Sequence, residues 1–302
     1  MIGANLAHRL VASGYHVSLL IRPGANLVRL RTIEDQMQIL CADVTDEAAV
    51  RSVVHQAKPE IVFHLVSTPF NPPTFSPESH FRVNVLGTLH MVEALLEYSD
   101  LRFVYTGSAA EYGAGTQLCE DSPLLPGTIL GASKAATSIL LQTYARLHQM
   151  NTVVLRLFTP YGPWEHAQRL IPHTILSALE GRDVTMSQGH QQRDYVYVDD
   201  LVDSLILAAR QRIPSGSIFN IGSGVGIPIR QVVELILNLM GNPVIVLAGV
   251  LPLRSDEIME MSGDITAART VLGWQPRINL EEGIRKSIAW FSEHRELASQ
   301  LS

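Results

Sequence analysis

An α/β fold built on a doubly wound parallel sheet is what the sequence predicts, on three observations. Short β-branched runs alternate with longer stretches across the first two-thirds of the chain. Those longer stretches carry apolar residues three or four apart on one side, the period of an amphipathic helix. A length of 302 residues with 46% hydrophobic content is enough for a large buried core.

In chain order, strands are expected at 16–21, 37–40, 61–65, 102–106 and 152–157, with helices at 46–57, 83–98 and 131–149 between them. Sheets of this type bind ligands outside the carboxyl ends of their strands, so the residues just after each strand are the ones to read for function. Beyond residue 159 the alternation loosens into Pro- and Gly-bearing loops, returns at 194–210 and 217–221, and closes on a helix at 280–295. The expected division is a first domain, 1–158 with 194–226, and a smaller interleaved substrate-binding lobe, 159–193 with 227–302.

Composition removes several function classes. A charged fraction of 17%, a net charge of -6 and the lack of any Lys/Arg run leave no basic face for a phosphate backbone, so nucleic-acid binding is not expected. Cys41 and Cys119 are too few for a disulfide framework and lack the paired spacing of a zinc site, and the 11 histidines are scattered. No metal is expected. No apolar stretch approaches the roughly 20 residues of a membrane-spanning helix, and Met1-Ile2-Gly3 is no charged leader. The expectation is a soluble, cytoplasmic protein.

Gly3-Ala4-Asn5-Leu6-Ala7 has the form of the last glycine and first helical turn of a dinucleotide-binding motif. Leu6, Leu10 and Val11 supply its buried stripe and Gly14 its stop. The strand and two glycines that should come before it are absent, so the sheet is expected to lack its first strand, through a start assigned too far downstream or a truncated variant. A second glycine cluster, Gly222-Ser223-Gly224-Val225-Gly226, is read as a structural strand-to-helix turn, because the strand expected at 244–247 has no acidic residue after it at the ribose-binding distance.

Further segments recur in a definite order. They include Asp43-Val44, His64-Leu65-Val66, Asn84-Val85-Leu86-Gly87-Thr88, Thr106-Gly107-Ser108 and Gly131-Ala132-Ser133-Lys134. Later come Arg156-Leu157-Phe158 with Tyr161-Gly162-Pro163, the run from Arg193 to Asp200, Asn220 to Gly224, and Leu272-Gly273-Trp274. In order and spacing, over nearly the whole chain, they resemble the extended short-chain dehydrogenases, the class of nucleotide-sugar epimerases, dehydratases and reductases. The resemblance implies a Rossmann-like sheet, NAD or NADP as cofactor and a nucleotide-diphosphate sugar as substrate.

Carried over residue by residue, the resemblance places Gly3, Asp43, Val44, Leu65, Val66 and Ser67 along the cofactor. Arg22 ends the second strand of the motif, where an acid favours NAD. A guanidinium there either pairs with the NADP 2′-phosphate or is an exposed loop arginine. Family members move hydride while a Tyr on a Tyr-x-x-x-Lys helix exchanges the hydroxyl proton, aided by the lysine's charge. Lys134 is that lysine, and the Tyr belongs four residues earlier, on the same helix face. Position 130 is Leu, which cannot carry a proton. Tyr112, Tyr161 and Thr128 are the hydroxyls nearest in sequence, and no spacing aims them at Lys134.

Ser108 is expected to orient a sugar hydroxyl, with a capping serine as the plain alternative. After it stand Ala109 and Ala110, where dehydratases of the family carry an acidic pair, and Glu111 is displaced. That argues against 4,6-dehydration and for an epimerase of the UDP-glucose 4-epimerase type or a keto-sugar reductase. Arg193 and Arg254 match the diphosphate-binding arginines, the alternative being ion pairs with Asp194 and Asp256. Thr159 and Leu170 belong to the loop expected to close over the nucleotide. A homodimer through the helices at 83–98 and 131–149 is implied as a four-helix contact. The competing expectation is a binding protein without turnover, since Leu130 replaces the acid.

Overall fold

The structure, a computed structural model, describes residues 1–68, 76–254 and 256–301. The first half runs α1 (Ile2–Ala12), β1 (Ser18–Ile21), β2 (Gln38–Cys41), α2 (Glu47–Ala57), β3 (Ile61–His64), α3 (Pro77–Phe81), α4 (Gly87–Leu95), β4 (Arg102–Ser108), β5 (Gly115–Leu118), α5 (Ile129–His148) and β6 (Asn151–Leu157). The second half follows as β7 (Thr159–Tyr161), α6 (Leu170–Leu179), β8 (Val184–Met186), β9 (Gln192–Tyr197), α7 (Val198–Arg210), β10 (Ser217–Ile221), β11 (Gly226–Pro228), α8 (Ile229–Leu239), β12 (Val246–Ala248), β13 (Met261–Gly263), α9 (Leu280–Glu293) and α10 (Arg295–Ser299).

Strands β10, β6, β4 and β3 form one parallel sheet in that order, and β1 pairs in parallel with β2 beside it. Strand side chains alternate between two cores, as period 2 requires. Val104, Val153 and Leu155 face Leu6 of α1 and Leu201 and Leu205 of α7. Phe103, Tyr105 and Val154 face Val50 and Val54 of α2, Val92 and Leu95 of α4, and Leu141 of α5. Helices therefore cover both faces, as the alternation predicted.

Local chemistry sets the helix ends. Asp46 accepts the Ala49 amide at the start of α2, Thr128 accepts that of Gly131 at α5, and Asn279 accepts that of Glu282 at α9. Helix α1 stops at Gly14, whose φ of 77° suits a glycine.

Between β1 and β3 the sheet is divided. A groove of about 390 Å³, lined by Val17, Ser18, Ile61 and Phe63 and by Leu10 and Ile206, separates the two edges. Among the described residues no strand pairs across it.

Some expectations change. The predicted helix 83–98 is a π-helical turn, Arg82–Leu86, followed by α4, which ends at Leu95. Gly87 explains the close packing there, since a Cβ on it would stand 2.7 Å from Val44 Cγ2. Helices α6 and α8 were not read from the sequence. Pro172 lies in the first turn of α6, where no intrahelical donor is lost. Pro228 precedes α8, whose buried Val232, Val233, Ile236 and Leu237 are regularly spaced. The strand expected at 244–247 is β12, and the closing helix divides into α9 and α10.

Helices α6, α8 and α9 pack against the three-stranded sheet β11-β9-β7 around Tyr161, Ile175, Tyr195, Ile236, Ile284 and Phe291. Two distant motifs meet within the fold: Trp274 Nε1 donates to the Asp200 carbonyl at 2.8 Å, and Asp200 Oδ2 accepts the amides of Arg277 and Ile278. The glycine cluster after β10 turns its amides inward. Asp194 accepts N–H groups from Ser223 at 2.5 Å, Gly224 at 3.0 Å and Gly263 at 3.1 Å, so the cluster is structural, leading through β11 into α8. No helix among the described residues is long and apolar enough to cross a membrane, and no cluster of three or more metal-ligating side chains occurs among them.

Candidate active-site cleft

A cleft of about 650 Å³ opens at the carboxyl ends of β3, β4 and β6. Ile2, Leu65 and Ser67 line it from the α1 side, with Ser108, Leu130 and Lys134 along it. Thr159, Leu170, Arg193 and Arg254 line it as well. The sequence-predicted residues of catalysis and substrate binding thus share one wall system. Gly3, Arg22, Asp43, Val44 and Val66 are not on the lining.

Helix α5 places Lys134. Gly131 lets the helix start close on the turn that follows β4, because a Cβ there would clash with the Ala110 carbonyl oxygen at 2.4 Å. Lys134 is 4% exposed, and its Nζ donates to the Thr106 carbonyl at 2.9 Å and to that of Val66 at 3.4 Å. The Tyr105 ring lies beneath the ammonium, 4.7 Å from Nζ to centroid. Burial lowers Lys134 to about 8, with the Glu111 charge acting the other way. Leu130, one helical turn earlier, lines the cleft where the resemblance expects a phenol.

Ser108 ends β4. Its Oγ accepts the Ala110 amide at 3.1 Å while its own N–H donates to Glu111 Oε1 at 2.8 Å, a reciprocal cap. The capping reading is therefore present alongside the position on the cleft. Glu111 is fully buried and accepts Arg156 Nε at 2.9 Å, so the displaced acid is a structural brace beneath Ser108. Tyr112 is likewise committed, donating to Asn220 Oδ1 at 2.7 Å and accepting from Arg156 Nη1 at 2.8 Å. Tyr161 is 1% exposed, and burial pushes its phenol far above the usual range. Thr128 does line the cleft, but its hydroxyl caps α5 by accepting the Gly131 amide at 3.0 Å.

The loop after β3 is fixed from behind. Asn84 Oδ1 accepts the Thr68 amide at 3.1 Å, and its Nδ2 donates to Ser133 Oγ at 2.8 Å. On the flank, Asp43 Oδ1 accepts the Thr45 amide and hydroxyl, both at 2.8 Å, which with Arg82 and Arg22 nearby holds the carboxyl below its ordinary value. Arg22 is exposed just past β1, Val44 is buried against Gly87, and Gly3 packs toward Leu65.

The two candidate diphosphate arginines meet a residue the sequence reading passed over. Arg193 pairs with Glu257 and also donates to the Ile258 carbonyl at 2.6 Å, while Arg254 Nε reaches Glu257 Oε2 at 3.1 Å. The alternative pairing of Arg193 with Asp194 is overturned, since that carboxylate is taken by backbone amides. The pairing of Arg254 with Asp256 is present at 3.9 Å. Glu165, Arg169 and Tyr195 also line the cleft and were not singled out. Glu165 is 7% exposed, and burial pushes it up to about 7 against the pull of Arg169. Only its place after Tyr161-Gly162-Pro163 marked it in the sequence.

Comparison with known proteins agrees with this geometry. The sequence model of the NAD dependent epimerase/dehydratase family matches residues 1–222. The UDP-glucose 4-epimerase of Mycolicibacterium smegmatis is 31% identical over 96% of this chain and 95% of its own length. Two solved structures superpose with a TM-score of 0.85. One is the UDP-glucose 4-epimerase of Thermotoga maritima with UDP-glucose, at 25% identity over 98% of this chain and 96% of that one. The other is MoeE5 with UDP-glucuronic acid and NAD, at 27% identity over 97% of this chain and 96% of that one. With a family match across most of its length and a relative above 30% identity, this chain belongs to the NAD dependent epimerase/dehydratase family.

Proposed function

We propose that the protein interconverts a carbinol and a ketone at a ring carbon of a nucleoside-diphosphate sugar, as a 4-epimerase of the UDP-glucose 4-epimerase type or a keto-sugar reductase. The observation that carries this is that Ser108 and Lys134 line the same cleft as Arg193 and Arg254. The residues present suit NAD: α1 begins without a side-chain cap, leaving its first amides for an anion, and Leu65, Ser67 and Lys134 continue from there along the strand ends. Asp43, Val44 and Arg22 flank the adenosine end, with Gly3 and Val66 supporting the wall.

When bound, NAD supplies the hydride acceptor and donor. Ser108 directs its hydroxyl at the reacting sugar oxygen. Lys134 takes the proton that leaves that oxygen, because Leu130 cannot and because burial has brought the ammonium within reach of neutral pH. Thr159 and Leu170 border the nucleotide, and the planar forks of Arg193 and Arg254 hold the diphosphate. Alanines at 109 and 110 weigh against dehydration. Binding without turnover gains no support from the relatives.

The domain division proposed is 1–158 with 194–226 for the cofactor and 159–193 with 227–302 for the sugar nucleotide. A homodimer is proposed through α4 and α5, supported by the exposed Ile139 and Leu147 on α5 and by the exposed Leu86 and Leu96 that flank α4. A cytoplasmic setting suits Cys41 and Cys119, both exposed free thiols. Incubation with NAD and a panel of UDP-, GDP-, CDP- and dTDP-sugars, with products separated by chromatography, tests the function. Conversion of at least one sugar is expected, and neither conversion nor binding of any would overturn it.

A further inference from the structure

We infer that Glu257 is a built-in competitor for the substrate's diphosphate: its carboxylate occupies the two arginines that would hold that group and is displaced when the nucleotide sugar enters. The inference rests on the nucleotide-sugar reading of the cleft and concerns how tightly that site takes its ligand. Glu257 lines the cleft together with Arg193 and Arg254. Its two oxygens are divided between them, Oε1 on Arg193 Nη2 and Oε2 on Arg254 Nε at 3.1 Å. A diphosphate offers the same arrangement, one anionic group for each guanidinium.

Burial singles out Glu257 from the other acid near these arginines. Its side chain is 10% exposed and that of Arg193 16%, whereas Asp256 is 50% exposed and stands 3.9 Å from Arg254 Nε. A pair so shielded is screened less than a surface ion pair. The backbone fixes the contact from both sides. The Gln192 amide donates to the Met259 carbonyl at 2.7 Å, seating the segment against β9, and the Glu257 amide closes a turn on the Arg254 carbonyl at 3.2 Å. Arg193 Nη1 donates to the carbonyls of Gln192 at 2.8 Å and Ile258 at 2.6 Å, so Nη2 is the end of that fork left to meet an anion, and Glu257 takes it. With Glu257 in place, a diphosphate would bring its negative charges against a carboxylate in a partly desolvated space. Exchange avoids that contact, and the cost of breaking the two ion pairs is subtracted from the affinity.

The test measures the affinities of UDP, GDP, CDP and dTDP by calorimetry in the presence of NAD, for the wild type and for Glu257→Gln, which keeps the shape and one acceptor and loses the charge. The diphosphate that the wild type binds should bind about tenfold tighter to Glu257→Gln. Glu257→Asp, one methylene shorter and unable to span both guanidinium groups, should tighten binding by about threefold and serves if the glutamine variant does not fold. Unchanged or weaker binding in a folded Glu257→Gln, or in Glu257→Asp where only that variant folds, would overturn the inference. Wild-type affinity retained in both Arg193→Ala and Arg254→Ala, or no binding of any diphosphate, would overturn the underlying reading, and this one with it.

Discussion

Glu111 holds Ser108 and Arg156 at once: Oε1 accepts the Ser108 amide at 2.8 Å and Oε2 accepts Arg156 Nε at 2.9 Å. A buried ion pair therefore sets the backbone that carries a candidate catalytic hydroxyl. Removing one partner leaves an unpaired buried charge, so Glu111→Ala should cost about 3–5 kcal/mol. Chemical denaturation would record it, and a change within about 0.5 kcal/mol would remove the brace from the account.

Lys134 provides a pH prediction. Its ammonium must lose a proton to act as a base, and burial brings it down to about 8. Turnover should rise with pH toward about 8 and level off above it. A profile flat from pH 6 to 9 would exclude the lysine as proton acceptor.

Leu130→Tyr restores a phenol one turn from Lys134. A positioned acid–base group contributes on the order of 10²-fold or more, so kcat should increase by about that factor and its pH dependence should move to lower pH. Unchanged kcat in a folded variant would mean that proton transfer does not limit the wild-type reaction.

Glu165 makes stability depend on pH. Its folded pKa is raised from 4.5 to about 7, so its favourable contribution is complete below 4.5 and is lost as pH rises through about 7. The Tm of Glu165→Gln relative to wild type should therefore increase from pH 5 to pH 8. A constant difference across that range would contradict the raised pKa of the buried carboxyl.

The divided sheet makes its own prediction. Strands β1 and β3 each leave one ladder edge on the 390 Å³ groove, so alternate amides of Ser18–Ile21 and Ile61–His64 should exchange with solvent much faster than those of β4 and β6. Uniform protection across all four strands would show that the edges are paired.

Much of this was legible in the sequence for a physical reason. The strands at 102–108 and 151–157 are buried on both faces, so their apolar runs are plain, and Ser108 and Thr159 follow from where those strands end. Partners distant in the chain were not legible. Asp194 neighbours Arg193 in sequence but is claimed by amides 29 and 69 residues away. Glu257 reaches Arg193 across 64 residues, which no local spacing encodes. The burial of Glu165 depends on a turn pinned by His8 and Trp290, one from each end of the chain.

The most direct measurement is diffraction from crystals grown with NAD and a nucleotide sugar that the protein binds. The nicotinamide is predicted beside Lys134 and Ser108, with the diphosphate of the sugar nucleotide against Arg193 and Arg254. Density for either molecule only outside this cleft would contradict the account.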